Sequence, residues 1–147
     1  MESFNSILEQ LPYSEPFLFV DELTSVTEEG VEGQYTFRKD EYFYQGHFKD
    51  HPVTPGVILT ECMAQIGLVC LGISMFDNKR TEDIQIALSG TQIDFFKPVY
   101  PGEQVRVHSE KIYFRFHKLK CNVTMRNASG EVVAKGVISG MMKPLET

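Results

Sequence analysis

The chain has 147 residues, of which 42% are hydrophobic and 23% are charged, so its size and balance are those of one folded domain with an apolar core. These values exclude a disordered chain and a fibre. Fourteen basic against 20 acidic side chains give a formal net charge of −6, which disfavours a general nucleic-acid binder because phosphate contacts need clustered basic residues.

The first part of the sequence predicts a short helix followed by two strands. The strands fall between Leu11 and Phe37, with a turn at 28–30. A loop rich in Gly and Pro, 45–56, comes next, and its prolines restrict the backbone. Such a loop suits a site where one side chain must be held in place.

The segment Val57–Phe76 predicts one long helix, since 14 of its 20 residues are apolar. Its length would allow it to span a membrane, but Glu61 and Gln65 would be costly in lipid. We therefore expect a helix that is wrapped by protein and that starts after Pro55 and Gly56.

The rest of the chain predicts about four strands. They begin at Ile84 and end near Met142, and Gly- or Pro-containing turns separate them at 101–102 and 127–130. One central helix on one antiparallel sheet of about five to six strands is an α+β design. No repeat or linker divides the chain, so we expect a single domain over residues 1–147.

Cysteine usage and the N-terminus favour a reducing compartment. Cys62, Cys70 and Cys121 have no C-x-x-C spacing and leave an odd count. The first residues contain neither a basic segment nor a long apolar stretch, which is atypical of a secretory signal. The sequence predicts a cytoplasmic protein.

The charge is unevenly distributed along the chain. Residues 1–96 contain 5 basic and 16 acidic side chains, whereas residues 97–147 contain 9 basic and 4 acidic ones. A basic run of this kind usually means a solvated strand face, and a docking patch for an acidic partner is the alternative. The distribution alone leaves both interpretations open.

Two side chains are candidates for acid–base chemistry. Glu61 lies in the apolar helix, where a carboxylate needs a partner, and Gln65 is on the same helix face four residues later. A neutral buried carboxylic acid is a useful proton donor, but a structural hydrogen-bonded pair fits the same pattern. His47, in the preceding loop, is as a lone histidine more typical of a packed core or surface residue than of a base. His47 and His51 have the spacing of two metal ligands on one helix. Pro52 would break a helix through them, so a metal site here is a poor prediction.

These motifs resemble those of a known family. Three segments, Gly46-His47-Phe48, 52–57 and 61–65, are similar to the (3R)-hydroxyacyl-[acyl-carrier-protein] dehydratases of the FabZ type, which have the hot-dog fold. The segments 16–21 and 96–103 agree in order, so the similarity covers nearly the whole chain.

The resemblance implies a role for each matched residue. His47 would remove the proton next to the thioester carbonyl, and Glu61 would protonate the leaving 3-hydroxyl, giving a trans-2-enoyl thioester. The Gly56 backbone N–H would polarise the carbonyl, and Gln65 would orient Glu61. Further contacts to the acyl chain would come from Phe48, Val57 and Ile86. No metal or other cofactor is expected, since the substrate is carried on the phosphopantetheine arm of the carrier protein.

The resemblance also implies partners. It implies a homodimer with active sites shared between subunits, and a trimer of dimers as the larger assembly. The acidic acyl carrier protein would dock on a basic segment made of Lys97, Arg115, Lys118 and Lys120. Neither a nucleic acid nor a membrane is an expected partner.

The sequence departs from the family at three places. Phe48-Lys49-Asp50 replaces the usual Phe-Pro-Gly, and Tyr13-Ser14 replaces a His-Arg pair. Ile86-Ala87 aligns with an aromatic pair that gates the tunnel, so we expect a wider tunnel here. A wider tunnel favours a polyene or aryl-capped acyl chain over the common saturated one.

Two alternatives to a dehydratase remain at the level of sequence. A hot-dog acyl thioesterase would hydrolyse the same kind of thioester, although such enzymes generally lack this His-to-Glu arrangement. A non-catalytic partner subunit of a heteromeric dehydratase would typically lose His or Glu, and this chain keeps both His47 and Glu61.

Overall fold

The computed structural model describes residues 4–76 and 84–144. The elements follow the predicted order. A short helix α1 (Asn5–Glu9) precedes strands β1 (Glu22–Val26) and β2 (Val31–Thr36), and a single 3₁₀ turn (Tyr42–Gln45) leads into the Gly/Pro-rich loop. Four long strands close the described part of the chain: β3 (Ile84–Phe95), β4 (Gln104–Arg115), β5 (Lys118–Asn127) and β6 (Val132–Pro144).

The central helix runs from Gly56 to Met75. It consists of α2 (Gly56–Ala64), a π-helical turn (Gln65–Val69) and α3 (Cys70–Met75). Although it is long and apolar enough to cross a membrane, 78% of its most apolar window is buried inside the protein. The helix is therefore the core of the fold, as the two polar residues on it predicted.

One antiparallel sheet of six strands packs around this helix, in the order β1-β2-β4-β5-β6-β3. On β4 and β5 the buried residues alternate with exposed ones, so one face of each strand meets the helix. The side chains Val105, Val107, Leu119, Cys121 and Val123 are all buried there. The predicted α+β hot-dog architecture is confirmed.

The last strand of the sheet, β3, has an unpaired edge. It pairs only with β6 among the described strands, and a bulge interrupts that pairing between Leu88 and Gly90. From Ala87 to Gln92 every residue is exposed, so neither face of this stretch is covered. Because an exposed strand edge offers free N–H and C=O groups, β3 is an edge to which a further strand can be added.

Candidate active site

The loop that carries His47 is closed at its base by two buried hydroxyls. Tyr44, at the end of the 3₁₀ turn, lies 2.6 Å from the Thr54 hydroxyl, with both side chains less than a tenth exposed. Thr54 also donates its N–H to the Val99 carbonyl at 2.8 Å, which ties the loop to the chain after β3. Most residues between Tyr44 and Thr54 are exposed and have little packing to hold them. The contacts of Tyr44 and Thr54 therefore fix the loop.

Within the loop, Val53 holds His47 at two points. The Val53 N–H donates to the His47 carbonyl at 2.9 Å, and His47 Nδ1 lies 2.9 Å from the Val53 carbonyl oxygen. A carbonyl oxygen only accepts, so Nδ1 carries a proton in this contact, and in the neutral imidazole the lone pair is then on Nε2. Phe48 stacks on the imidazole at 4.0 Å and is 59% exposed. His47 therefore has the tautomer and the fixed orientation of a base.

On the central helix, Glu61 is held by Gln65. Gln65 Nε2 donates to Glu61 Oε2 at 3.0 Å and to the Phe17 carbonyl at 3.1 Å. Gln65 Oε1 accepts the N–H of the fully buried Phe19 at 2.8 Å, so the amide cannot turn over without losing these bonds. The Gln65 side chain is fully buried and Glu61 is half-buried. The segment before β1 thus orients Glu61 through Gln65.

Gly56 begins the central helix at the edge of the same region. A first-turn N–H has no carbonyl one turn earlier in its helix, so it can donate to an anionic oxygen, and the helix dipole supports this. The Phe95 ring lies against Gly56, and a Cβ at Gly56 would approach it to 3.2 Å. A side chain at position 56 would therefore press against this ring.

A cleft of about 720 Å³ joins these helix residues to β3. Its lining consists of Gly56, Val57, Thr60 and Glu61 from the helix and Leu88, Thr91, Gln92, Ile93 and Phe95 from the strand. Val57 is 77% exposed and Leu88 is 53% exposed, which makes the cleft wide and apolar on one side. Its openness agrees with the uncovered stretch of β3.

The structure does not bring every predicted site residue to this cleft. His47 and Phe48 lie on the loop and do not line it in the described part of the chain, and Ile86 packs half-buried against the core instead. The sequence analysis did not predict that the strand residues Leu88, Thr91 and Gln92 line the cleft. The bulge at 88–90 breaks the strand's alternation, so no regular pattern signalled which side chains face the cleft.

Tyr13 is a further residue that sequence analysis did not place near the site. Burial, and then the negative charge of Glu61, raise the pKa of Tyr13 to about 12. Its phenol therefore stays protonated as a neutral neighbour of Glu61, at the position where the resemblance led us to expect a histidine.

The three cysteines are free and buried. Burial raises the pKa of Cys70 and of Cys121 to about 12 and raises that of Cys62 well above its usual value. A thiol is a nucleophile only as the thiolate, so none of the three has the character of a reactive cysteine. Within the ranges 4–76 and 84–144, no group of three or more His, Cys, Asp or Glu side chains is arranged to hold a metal ion.

The four basic residues predicted to dock the carrier protein lie in two separate places. Arg115 and Lys118 face each other across the β4–β5 hairpin, and Lys120 lies opposite Tyr113 on the same two strands. The Arg115 guanidinium lies 4.2 Å from the centroid of the Tyr113 ring, and the Lys120 ammonium lies 5.8 Å from it. Lys97 is at the other end of β3, where it pairs with Glu131 at 3.0 Å. One chain therefore holds three of the four predicted docking residues together, apart from Lys97.

The chain is similar to known proteins in both sequence and fold. The family model described as the FabA-like domain matches residues 11–140. A "3-hydroxyacyl-[acyl-carrier-protein] dehydratase FabZ" of Geobacter metallireducens is 38% identical over 104 residues, which cover 70% of this chain and 69% of the relative. One with the same name from Clostridium perfringens is 34% identical over 140 residues, 95% of each chain.

Among solved structures, the chain is similar to the one titled "The Dehydratase Heterocomplex ApeI:P from Xenorhabdus doucetiae". The TM-score is 0.78 at 16% identity, over 95% of this chain and 91% of that one. At this identity the likeness concerns the fold.

Proposed function

Because the chain belongs to the FabZ-type 3-hydroxyacyl-[acyl-carrier-protein] dehydratases, we propose a residue-level account of its reaction. The protein is a hydro-lyase that removes water from 3-hydroxyacyl-[acyl-carrier-protein] in fatty-acid or related acyl-chain biosynthesis. The (3R)-hydroxyacyl thioester would lie with its C2–C3 bond between His47 and Glu61.

His47 is the proposed base. The Nδ1 contact with the Val53 carbonyl leaves the Nε2 lone pair free to take the proton from C2. As the C2–H bond breaks, negative charge develops on the thioester carbonyl oxygen. The Gly56 N–H, at the start of the central helix, is the proposed donor to that oxygen.

Glu61 is the proposed acid. Its carboxyl group gives a proton to the leaving 3-hydroxyl, the C3–O bond breaks, and the C2=C3 bond of the trans-2-enoyl thioester forms with one molecule of water. Gln65, hydrogen-bonded to Glu61, holds the carboxyl in one orientation. Acid, base and carbonyl polarisation complete this elimination, and we propose that no metal or redox cofactor takes part.

We propose that the active site is shared between two copies of the chain. Glu61 and Gly56 line an open cleft to which His47 does not contribute in the described part of the chain, so one copy offers two half-sites. The uncovered edge of β3 borders the same cleft, and its pairing with a second β3 would cover both. A trimer of such homodimers is the larger assembly that we propose.

We propose that the acyl chain is bulkier than a simple saturated one. Ala87, small and exposed, follows the half-buried Ile86 on β3, in the positions where the family's aromatic gate is expected. The adjoining cleft is wide, with Leu88 and Val57 on its wall. These features favour a polyene or aryl-capped chain, bound through Phe48 and Val57.

The proposed partner is an acidic acyl carrier protein that docks on Arg115, Lys118 and Lys120, with Lys97 contributed from the other copy. The uneven charge of the chain supports this, since 9 of its 14 basic residues lie in 97–147. The three free, buried cysteines fit a reducing compartment, so we propose that the enzyme works in the cytosol.

The observation that carries the function is the pair of oriented groups, His47 with a free Nε2 and Glu61 held by Gln65. The test incubates the protein with carrier proteins loaded with 3-hydroxyacyl chains of different length and bulk and measures intact mass. We expect a loss of one water on at least one chain, and a rate lowered about 10²- to 10⁴-fold by His47→Ala or Glu61→Gln.

One result would contradict the proposed function, and another would contradict only the proposed substrate. Release of free thiol from the carrier arm would indicate hydrolysis and hence a thioesterase. A preference for short saturated chains would leave dehydration intact and reject only the bulky substrate.

A further inference from the structure

The turn between β4 and β5 exposes an aromatic side chain. Phe116 is 91% exposed, more than any other large apolar side chain described in the structure. Phe116 and His117 also have positive φ angles, 52° and 62°, a conformation that suits Gly, Asn or Asp better than a bulky residue. Neither packing nor backbone preference explains a phenylalanine at this position.

Basic residues lie on both strands next to this turn. Arg115 and Lys118 flank the turn directly, and Lys120 follows on the same hairpin. Among the described residues, no carboxylate lies within ion-pair distance of these three cations. We call Phe116 with Arg115, Lys118 and Lys120 the hairpin knob: an apolar centre with a cationic rim.

The knob is far from Gly56 of its own chain. The His117 carbonyl accepts the Met142 N–H at 2.8 Å, and Met142 is opposite Ile86 near the start of β3. Phe95, which touches Gly56, is at the other end of that strand. Twelve residues of β3 span roughly 36 Å at about 3.3 Å a residue, so most of that length separates the knob from Gly56.

The antiparallel pairing of two β3 strands that we propose above would remove this separation. It would place the start of one β3 beside the end of the other, so that the knob of one copy would lie near the Gly56 half-site of its partner. Lys97, just after β3, would come to the same region from the other copy. The knob would then be at the mouth of a site, where a carrier protein must bind.

We infer that Phe116 is the apolar anchor of the carrier-protein docking surface, inserted into an apolar cleft on an acidic carrier, with the three cations fixing its orientation. This inference rests on the proposed function. Apolar anchors at the centre of an interface provide most of the affinity, whereas rim charges mainly provide steering. Charge complementarity selects the carrier as the occupant. A lipid surface is the alternative occupant, and the vesicle measurement below tests it.

The test compares Phe116→Asn with Phe116→Leu, using one acyl chain presented either on the carrier protein or on free pantetheine. Asn suits the positive φ but removes the apolar anchor, whereas Leu keeps the anchor. We expect Phe116→Asn to raise KM for the carrier-bound substrate about tenfold or more and Phe116→Leu to change it less than about threefold. Turnover of the pantetheine substrate should be unchanged in both.

Thermal unfolding separates docking from a structural role. Phe116→Asn should unfold at the same or a higher temperature than Phe116→Leu, the reverse of the order in carrier affinity. The double variant Arg115→Glu/Lys118→Glu should lower kcat/KM for the carrier-bound substrate only, and the effect should shrink at high salt.

Several outcomes would overturn the inference. Equal KM values for wild type and Phe116→Asn, or equal losses on both substrates, would exclude an anchor. Binding to phosphatidylserine vesicles that Phe116→Asn abolishes, with carrier KM unchanged, would identify the knob as a membrane contact. If the wild type dehydrates neither substrate, the proposed function itself fails.

Discussion

At the scale of single residues, His47 is positioned through neighbours that do no chemistry themselves. The Tyr44–Thr54 hydroxyl contact closes the loop, and Val53, next to Thr54, holds the imidazole. A hydrogen bond of this kind contributes about 1 kcal/mol, which corresponds to about fivefold in a rate if it is needed only for geometry. The effect of the Tyr44–Thr54 contact on the position of His47 can therefore be measured through kcat.

We expect Tyr44→Phe and Thr54→Val each to lower kcat about fivefold with little change in KM, because the loop loosens while the acyl cleft is untouched. The double variant should be no worse than either single one, since both remove the same contact. Thr54→Ser, which keeps the hydroxyl, should retain activity. Steady-state kinetics with one acyl substrate would measure this, and losses that multiply would contradict a shared contact.

Tyr44 also predicts that the stability of the fold decreases at alkaline pH. Burial raises the pKa of Tyr44 to about 12, above its ordinary value of 10, so the folded state binds this proton more tightly than the unfolded state. Its contribution to stability is complete below pH 10 and is lost as the pH rises towards 12. In Tyr44→Phe, the fall of the unfolding temperature across that window should be smaller than in the wild type.

Residue type and spacing, which are local properties, singled out Glu61, Gln65 and His47 as candidates, and the family resemblance added Gly56; their roles stay predictions. The sequence did not identify the Tyr44–Thr54 pair, whose partners are separated by nine residues of irregular loop without a periodic signal. The apolar sequence around Glu61 suggested a buried carboxyl group. In the structure Glu61 is only half-buried, because its side of the helix faces the open cleft.

At the scale of elements, β3 has two roles: it lines the cleft and forms the open edge of the sheet. Its apolar, exposed Leu88 is the natural place to disturb a second strand laid along it. A lysine there would bring like charges of two copies together and would be costly to bury.

We expect Leu88→Lys to shift the protein from dimer to monomer in sedimentation velocity, with activity lost in parallel. Tyr100→Lys is the matched control, because Tyr100 is also 53% exposed but lies in the loop after the strand. It should remain dimeric. A Leu88→Lys protein that stays dimeric and active would show that this edge is not the interface.

The strands and the central helix were predictable to within a few residues, because alternation and apolar runs are strong signals. The strand order was not, since pairing β2 with β4 and β6 with β3 depends on contacts between distant residues. The π-helical turn that begins at Gln65 was not predictable either. It interrupts the helix at the residue that holds Glu61, a common location for such turns.

At the scale of the whole molecule, the acidic first part of the chain and the basic last part fold into one sheet-and-helix unit. The long central helix, mistakable in sequence for a membrane span, is its core. One copy of the chain contains both the sheet and the helix that packs on it. In the described part of the chain, however, His47 does not line the cleft, and the outer edge of β3 has no partner strand. These two features are why we propose that the active site is assembled from two copies.

Subunit exchange tests that claim most directly. His47→Ala and Glu61→Ala proteins, each inactive alone, are mixed, allowed to exchange, and assayed for dehydration, with native mass spectrometry used to measure the mixed dimers. Random exchange gives mixed dimers for half of the molecules, each with one intact site, so activity should recover to about a quarter of wild type. Mixed dimers that form without any recovery of activity would contradict shared sites.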